Sequence, residues 1–377
     1  MSVYLDYNAT AKVRPEAVVA VARALDVGGN PSSIHAAGRA ARALLDAARS
    51  EVAALVAAPA ERVTFLSGGT EASALAIESA LAAGHDRIIV GATEHEAVVE
   101  TARAAAGAAL EIWPVDERGI ADLDWLEARL THAARPLVCL MLANNETGVI
   151  QPVSEAALMV RAAGGWLHVD AVQAAGKIRI DFDALGADTL ALSAHKVGGP
   201  QGVGALVAGP RAQLTRQLHG GGQERGRRAG TENIPGIAGF GAAAAASAAG
   251  LADIAGQQAW RDGLAAEAAA RGATVLGEGV SRLPQTLCFA TPGLASEVQV
   301  MALDLAGVMV SAGAACSSGK VRSSRVIEAM GRDDLAPCAI RVSGGWGSSA
   351  ADWSRCAEAS AQLFARHQSR RRATAPA

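Results

Sequence analysis

Two short apolar runs in the middle of the chain place an acidic residue and a lysine at strand ends. Gly165–Val172 and Thr189–Ser193 have the length and composition of buried strands. Asp170 lies at the end of the first run, and Lys196 follows the second. In an open α/β sheet, ligands bind outside the carboxyl ends of the strands. We therefore expect the Asp170 carboxylate and the Lys196 amine to meet at one ligand.

An acid paired with a lysine suits the chemistry of pyridoxal phosphate. A lysine amine forms a Schiff base with an aldehyde, and the pyridine nitrogen of this cofactor needs an acidic partner so that the ring acts as an electron sink. A lone Asp or Lys at a strand end is ordinarily only solvated. Here Gln173, Ser193 and His195 accompany Asp170 and Lys196, which favours a site.

The lysine content singles out Lys196. The sequence contains only four lysines, at positions 12, 177, 196 and 320. Lys12 lies in a polar N-terminal segment, we expect Lys177 in a solvated connection, and Lys320 follows a Ser-Gly loop. Lys196 alone ends an apolar run and precedes a Gly-Gly-Pro turn.

Three further apolar strands are followed by polar groups. The run V-T-F-L leads into a small-residue turn, Ser67–Thr70, and then a helix. Free N–H groups and the dipole at a helix N-terminus favour a bound anion, so this turn is a candidate phosphate cradle, although ordinary strand–helix turns look similar. His95 and Asn145 follow the other two strands, Arg87–Gly91 and Leu137–Leu142. A lone histidine there is more often structural, but five strand ends converging on one sheet edge predict a site.

Composition excludes several classes of function. The 377 residues suggest two domains, and a net charge of −3 gives no indication of nucleic-acid binding. The N-terminus lacks a signal-peptide pattern, and the run Ile237–Leu251 is too short and weakly apolar to span a membrane. We expect the arginine cluster Arg370–Arg372 to lie in a disordered tail.

The five cysteines indicate a reducing compartment. They are odd in number, scattered and never in a C-x-x-C pair. This argues against a disulfide framework or a zinc site and favours the cytoplasm. The cysteines are Cys139, Cys288, Cys316, Cys338 and Cys356.

The pattern of apolar runs also predicts helices and strands away from the strand ends. They are a strand at Val3–Leu5, helices at Ala36–Ala57, Leu123–Ala133 and Ser154–Ala163, a strand at Gly204–Ala208, a helical region at Ile237–Ala270, a strand at Thr286–Ala290, and helices at Ser296–Ala306 and Ala350–Arg366.

Taken together, the motifs resemble those of the cysteine desulfurases of the nitrogen-fixation and iron–sulfur-cluster type, in the class V aminotransferase group. The resemblance runs from Tyr4 to about Arg341. The motifs are, in order, S-G-G-T-E, T-E-H, N-N-E-T-G, H-V-D-A-V-Q, S-A-H-K-x-x-G-P-x-G, G-G-G-Q-E-R-G-x-R-x-G-T-E-N and S-A-G-A-A-C-S-S-G.

The resemblance implies a fold-type I pyridoxal-phosphate enzyme that is an α/β protein and a cytoplasmic homodimer. It implies a large cofactor-binding domain, residues 15–250, with a mostly parallel seven-stranded sheet. A smaller α+β domain, residues 1–14 and 251–377, would carry the loop of the catalytic cysteine. The activity would be removal of sulfur from L-cysteine, giving L-alanine and a persulfide for iron–sulfur clusters or other sulfur compounds.

The resemblance also implies roles for individual residues. Lys196 would form the Schiff base, Asp170 would contact the pyridine nitrogen, and His95 would stack on the ring and carry protons. Cys316 would accept the sulfur and could transiently share a cluster with a scaffold partner, although no resident metal is expected. The remaining contacts would be Gln173 and Asn145 on the ring-hydroxyl side, Gly69, Thr70, Ser193 and His195 on the phosphate, Thr231 from the other subunit, and Arg341 with Asn30 and Asn145 on the substrate.

The sequence departs from the family after R-V-S-G-G, where Trp346 and Gly347 stand in place of polar or basic residues. The short arginine-rich C-terminus has no obvious docking segment for a scaffold protein. These departures leave the sulfur-receiving partner open. The alternatives are a selenocysteine lyase, another class V aminotransferase or lyase, or a non-catalytic sulfur-delivery protein. The intact set of Asp170, Lys196, His95 and Cys316 speaks against the last.

We predict that borohydride will fix the cofactor to Lys196. Reduction converts the Schiff base into a stable secondary amine, so the labelled peptide identifies the lysine. Peptide mass spectrometry of the reduced, yellow protein should place the label on the peptide containing Lys196. A label on Lys177 or Lys320 would contradict the assignment.

Overall fold

The computed structural model describes residues 2–106, 110–131, 135–313 and 323–374. Cys316 and Lys320 therefore lie outside the described residues. The strands are, in chain order, β1 (Val3–Tyr4), β2 (Val63–Leu66), β3 (Ile88–Gly91), β4 (Leu110–Trp113), β5 (Leu137–Cys139), β6 (Trp166–Asp170), β7 (Thr189–Ser193), β8 (Gly204–Ala208), β9 (Thr274–Leu276), β10 (Thr286–Ala290), β11 (Val308–Met309), β12 (Ser311–Ala312) and β13 (Ala339–Ser343).

The α-helices connect these strands and cover the sheets. They are α1 (Pro15–Val27), α2 (Ala36–Leu55), α3 (Gly69–Ala82), α4 (Glu96–Ala106), α5 (Leu123–Leu130), α6 (Val153–Ala162), α7 (Phe182–Leu185), α8 (Ile234–Ala249), α9 (Leu251–Ala270), α10 (Ser296–Leu305), α11 (Arg325–Ala329) and α12 (Ala350–Thr374).

A seven-stranded sheet forms the larger layer, as predicted. Its order is β2-β8-β7-β6-β5-β3-β4, with β4 through β7 parallel and β8 antiparallel to both of its neighbours. Strands β3, β5, β6, β7 and β8 are buried along their whole length, which explains their continuous apolar sequences. The carboxyl ends of β3, β5, β6 and β7 consequently share one edge.

A four-stranded antiparallel sheet, β12-β13-β10-β9, forms the smaller layer. The N-terminal strand β1 pairs with β11, and the chain then runs along β13, where the Tyr7 N–H donates to the Ser343 carbonyl at 3.1 Å. Residues 6–11 thus lie between the two sheets and beside Lys196, since Ala11 N–H donates to the His195 carbonyl. The division into domains at residues 14 and 250 stays a prediction.

Helix α8 packs closely against α2 because of its glycines. A Cβ on Gly241 would lie 2.6 Å from the Ala48 Cα, and one on Gly239 would lie 2.7 Å from Pro200. A side chain at either position would therefore force the helix outward. The glycine- and alanine-rich sequence of α8 reflects this close approach rather than low complexity.

The structure differs from the sequence predictions at four places. Helix α1 was not predicted, and neither was the edge strand β4. The helical region Ile237–Ala270 is two helices, bent at Gly250. Helix α12 continues to Thr374, so the backbone of Arg370–Arg372 is helical, not disordered. Within the described ranges, no single helix is long and apolar enough to cross a membrane, although α8 and α9 pass that test as a pair bent by 62°.

A buried ion pair fixes the glycine-rich loop that precedes α8. Arg49 of α2 donates to both carboxylate oxygens of Glu224, at 2.7 and 2.8 Å, and the Phe65 N–H donates to Glu224 at 2.9 Å. Glu224 and Arg225 both have left-handed backbone conformations, with φ of 46° and 58°. Such conformations are strained for residues other than glycine. The ion pair therefore stabilises one conformation of the loop that leads to Thr231.

Candidate active site

The strand ends of the large sheet surround a cavity of about 450 Å³. This volume is typical of sites for small molecules and cofactors. Ten of the thirteen predicted site residues line it: Gly69, Thr70, His95, Asn145, Asp170, Gln173, Ser193, His195, Lys196 and Arg341. The sequence prediction that the strand ends converge on one place is therefore met by the geometry.

One end of the cavity is built to hold an anion. Gly69 is the first residue of α3, and no side chain among the described residues caps this helix end. A Cβ on Gly69 would lie 2.9 Å from Val172 Cγ2, so a larger residue here would displace Val172 at the cavity wall. Thr70, Ser193 and His195 add polar side chains. Burial lowers the pKa of His195 to about 4, so its imidazole is neutral at pH 7. A phosphate group fits this end.

Asp170 is a buried acid at the end of β6. Its Oδ1 accepts a hydrogen bond from the Val172 N–H at 2.9 Å. Burial raises the pKa of Asp170, while the charges of His95 and Lys196 act in the opposite direction. A cation placed against this carboxylate would therefore be strongly favoured. A protonated pyridine nitrogen is such a cation.

Lys196 contacts backbone carbonyls and, within the described ranges of the chain, no carboxylate. Its Nζ donates to the Asn8 carbonyl at 2.6 Å and to the Ala9 carbonyl at 2.9 Å. Burial, and next the charge of Arg341, lower the pKa of Lys196 to about 8. The amine is thus neutral in an appreciable fraction of molecules near pH 7, as a nucleophilic amine must be.

Lys177 is buried, contrary to the prediction that it lies in a solvated connection. Its Nζ donates to Gln173 Oε1 at 2.6 Å, and the Gln173 Nε2 donates to the Asn8 carbonyl at 2.8 Å. Burial, together with the charges of Lys196 and Arg341, lowers the pKa of Lys177 well below its ordinary value. The buried Lys177 amine therefore fixes the orientation of the Gln173 amide.

His95 is an exposed residue that lines the cavity and directly precedes α4. Its Nδ1 accepts a hydrogen bond from the Ala97 N–H at 3.1 Å. In the neutral ring, the proton consequently lies on Nε2. The ring nitrogen that is not tied to the backbone is thus the one that can exchange a proton with a ligand.

Arg341 is the buried cation of the cavity. Its guanidinium donates to Asp6 at 2.8 Å and to the Asn145 carbonyl at 3.1 Å. Within the described part of the chain, its Nε has no hydrogen-bond partner. A buried N–H without a partner costs free energy, so this side chain retains capacity to bind an anionic group such as a carboxylate.

Two of the predicted site residues that the structure describes are not in this cavity. Asn30 is exposed, and its side chain accepts from the Ser32 N–H at 2.9 Å. Thr231 is also exposed and lines a separate depression together with Ser67 and Arg228. Cys316 lies outside the described residues. The positions of Asn30 and Thr231 show that one chain does not bring them to the cavity.

Sequence reasoning missed four polar residues around the cavity. Asn8 is buried and hydrogen-bonds to both sheets, and Lys177 orients Gln173. Glu94 and Glu146 are buried acids beside His95 and Asn145. Burial raises the pKa of both acids, that of Glu146 to about 7. The motifs D-Y-N-A-T, T-E-H and N-N-E-T-G contained three of them, but nothing in the sequence indicated their burial.

The residues present fit pyridoxal phosphate. The N-terminal end of α3, which no described side chain caps, accommodates a phosphate. Asp170 can pair with a protonated pyridine nitrogen, and the partly neutral amine of Lys196 can react with an aldehyde. All three groups line one cavity of suitable size. The arrangement defines an enzyme site of the pyridoxal-phosphate type.

Comparison with known proteins agrees with this geometry. The family "Aminotransferase class-V" matches residues 3–352. A cysteine desulfurase of Cereibacter sphaeroides is 45% identical over 337 residues, 87% of this chain and 86% of that protein. The solved structure of a NifS-like protein from Rickettsia africae has a TM-score of 0.87 and 30% identity, covering 97% of this chain and 99% of that one. A protein named SspA, solved in complex with cysteine, has a TM-score of 0.78 and 25% identity, covering 91% and 98%.

The chain therefore belongs to the class-V aminotransferase family and, within it, to the cysteine desulfurases. Proteins of this family depend on pyridoxal phosphate. The cofactor expected from Asp170 and Lys196 is thus the cofactor of the family.

We predict that Asp170→Asn binds the cofactor but turns over at least about tenfold more slowly. The change keeps the shape of the side chain but removes its charge, and a charge-assisted hydrogen bond contributes about 1.5–3 kcal/mol. Alanine formation from L-cysteine gives the rate, and cofactor absorbance gives the occupancy. A variant that turns over at the parental rate would contradict this role.

Proposed function

We propose that this protein removes sulfur from L-cysteine and leaves it as a persulfide on Cys316, releasing L-alanine. The observation that supports this most is the single cavity that joins the anion-binding end of α3, Asp170, Lys196 and Arg341. This arrangement suits an amino acid bound next to pyridoxal phosphate. Membership of the cysteine desulfurase family narrows the amino acid to cysteine.

Each polar group of the cavity has a distinct task in this proposal. When bound, pyridoxal phosphate supplies an aldehyde for amines and a ring that withdraws electrons from the substrate. Gly69, Thr70, Ser193 and His195 would hold its phosphate, and Asp170 its pyridine nitrogen. Arg341 would bind the substrate carboxylate through the N–H groups that its contacts with Asp6 and Asn145 leave available.

Lys196 and His95 are the proton carriers. Lys196, with a pKa of about 8, has a neutral fraction near pH 7 that would take the Cα proton of the substrate. The Nε2 of His95 would exchange protons at the opposite, open side of the cavity. When the Lys196 amine is not transferring a proton, its hydrogen bonds to the Asn8 and Ala9 carbonyls would hold it at the cavity wall.

Sulfur transfer would use the Cys316 thiolate as the nucleophile. Its Sγ forms a bond to the substrate sulfur, and the bond between that sulfur and Cβ breaks. The electron pair remains on Cβ, which takes up a proton to become the methyl group of alanine. No external oxidant or reductant is needed, because the sulfur is oxidised while Cβ is reduced.

The other four cysteines are poor candidates for this role. Cys139, Cys288, Cys338 and Cys356 are all buried. Burial raises the pKa of the Cys139, Cys288 and Cys356 thiols, that of Cys356 to about 12. A thiol of such high pKa is almost never a thiolate at neutral pH and is correspondingly unreactive.

The proposal includes a cytoplasmic homodimer that passes sulfur to an acceptor protein, such as an iron–sulfur scaffold. Apolar side chains of α1 and the following loop are exposed in the single chain: Val18 by 56%, Val19 by 67%, Leu25 by 65% and Ile34 by 91%. Large exposed apolar patches commonly mark protein contacts. Exposed Thr231, on the loop held by Glu224, would then reach the cofactor phosphate of the partner subunit. Four free thiols in the described residues agree with a reducing compartment.

We predict that Cys316→Ser separates substrate binding from sulfur removal. The variant should stay yellow and show the same absorbance change on adding L-cysteine, because the cavity is intact. It should form no persulfide and release no sulfide, since a serine hydroxyl is a far weaker nucleophile than a thiolate. Alanine and sulfide assayed together with a reductant, without any 2-oxo acid, give the readout. Equal amounts of both products at near the parental rate would refute the proposed function.

We predict that the active site is shared between subunits. Lys196→Ala and Thr231→Ala should each be impaired, for lack of the amine and of a phosphate contact. Mixing them under exchanging conditions should restore activity, because one site of each hybrid then has both residues. Size-exclusion chromatography with light scattering gives the oligomeric state. A strictly monomeric, active enzyme would rule out the shared site.

A further inference from the structure

Glu146 contacts both flanks of the segment that contains Cys316. Ser324, which follows residues 314–322, donates its hydroxyl to Glu146 Oε2 at 2.6 Å. Gly313, which precedes them, approaches the same oxygen so closely that a Cβ there would lie 3.0 Å from it. The two flanks, eleven positions apart in the sequence, thus meet at one carboxylate oxygen.

Both flanks are also tied to the fold by their backbones. Strand β12 pairs with β13 so that Ser311 lies opposite Arg341, and the Gly313 N–H donates to the Ala339 carbonyl at 3.3 Å. Ser324 is the N-cap of α11 and accepts from the Ile327 N–H at 3.2 Å. The Glu146 carboxylate therefore bridges the two flanks, which also approach each other directly, since a Cβ on Gly313 would lie 3.5 Å from the Ser324 Cβ.

The same residue is joined to the cavity. Its N–H donates to Asn144 Oδ1 at 2.9 Å, within the turn that presents Asn145. The Asn145 carbonyl accepts from Arg341 and from Asn8, both of which line the cavity. The carboxylate of Glu146 therefore acts on Gly313 and Ser324, whereas its backbone N–H, which a change of the carboxylate leaves in place, supports the turn that presents Asn145.

We propose that Glu146 is a positioning residue for sulfur transfer, whose carboxylate fixes the start and the end of the Cys316 segment relative to the substrate cavity. The inference rests on the proposed function, because it concerns the step that Cys316 performs. It assigns Glu146 no contact with substrate or cofactor. Its loss should therefore slow persulfide formation and leave the earlier binding of L-cysteine unchanged.

The charge of Glu146 changes in the physiological range. Burial raises its pKa to about 7, while Ser324 and the charges of Arg341 on β13 and Arg325 at the start of α11 act in the opposite direction. The Cys288 thiol of β10 also faces it and is neutral, because burial raises the pKa of that thiol. The carboxylate is ionised above pH 7, where its hydrogen bond from Ser324 becomes charge-assisted and stronger. The anchor should therefore tighten as the pH rises through about 7.

The test uses Glu146→Gln, with Glu328→Gln as the matched control. Glu328 lies on α11 and is exposed, so this control makes the same chemical change away from the anchor. Two readouts are taken on each holoenzyme: the absorbance change on adding L-cysteine, and the rate of persulfide formation on the Cys316 peptide after rapid alkylation.

We expect an unchanged absorbance response and at least about a tenfold slower persulfide formation in Glu146→Gln, the scale of one lost charge-assisted hydrogen bond. The inflection near pH 7 in the rate of persulfide formation should disappear in this variant, and Glu328→Gln should match the parent in every readout. Equal slowing of both steps, or of neither, would overturn the inference.

Two further variants guard against a folding defect of Glu146→Gln. Ser324→Ala removes the hydroxyl that holds the carboxylate, and Gly313→Ala pushes against the same oxygen. Both should slow persulfide formation selectively. Loss of cofactor in all three variants would make Glu146 purely structural and overturn the inference. If the unmodified enzyme forms no persulfide on Cys316, both the proposed function and this inference are wrong. If Glu146→Gln forms the persulfide at the parental rate, only the inference is wrong.

Discussion

The geometry of the site depends on Asn8, which lies between the two sheets. Its carbonyl accepts from both Lys196 and Gln173 of the large sheet. Its side-chain amide donates to the Asn145 carbonyl and to Thr286 of β10, and its N–H donates to Ser343 of β13. One buried residue thus determines where the reactive amine sits relative to the smaller sheet. A buried polar group left without partners costs about 1–3 kcal/mol. These hydrogen bonds therefore favour a single placement of the Lys196 amine relative to the smaller sheet.

The charges of the site are balanced by burial as much as by ion pairs. Among the residues that the structure describes, the half-buried Lys196 and the buried Lys177 have no carboxylate hydrogen-bond partner. Arg341, in contrast, donates to the Asp6 carboxylate. Burial lowers the pKa of both lysines and raises that of Asp170 and Glu94, so desolvation moves all four groups towards their neutral forms. A charged cofactor nitrogen opposite Asp170 would favour the ionised form of this acid. The site therefore has an electrostatic preference for the ligand that its shape accommodates.

The sequence predicted the large sheet and its strand ends well because buried parallel strands are continuous apolar runs, as at Thr189–Ser193 and Gly204–Ala208. It missed β4, which is a partly exposed edge strand. It could not predict the burial of Lys177, because that burial arises from the packing of elements distant in sequence. The contact between Glu146 and Ser324 spans 178 positions and is likewise invisible to local patterns. Residue types at a site can be read locally, whereas the residues that position them depend on tertiary structure.

The departure from the family pattern at Trp346 lies behind Lys196 rather than in the substrate cavity. The indole N–H donates to the Lys12 carbonyl at 2.8 Å, and the Arg14 guanidinium lies 5.4 Å from the ring centroid. Arg14 in turn donates to the Val197 carbonyl, directly after Lys196. Through Arg14, the tryptophan thus supports the backbone that directly follows the reactive lysine. Since a brace of this kind needs a large flat side chain that can stack on a guanidinium, and not a charge, the replacement of polar residues here is compatible with unaltered chemistry at Lys196.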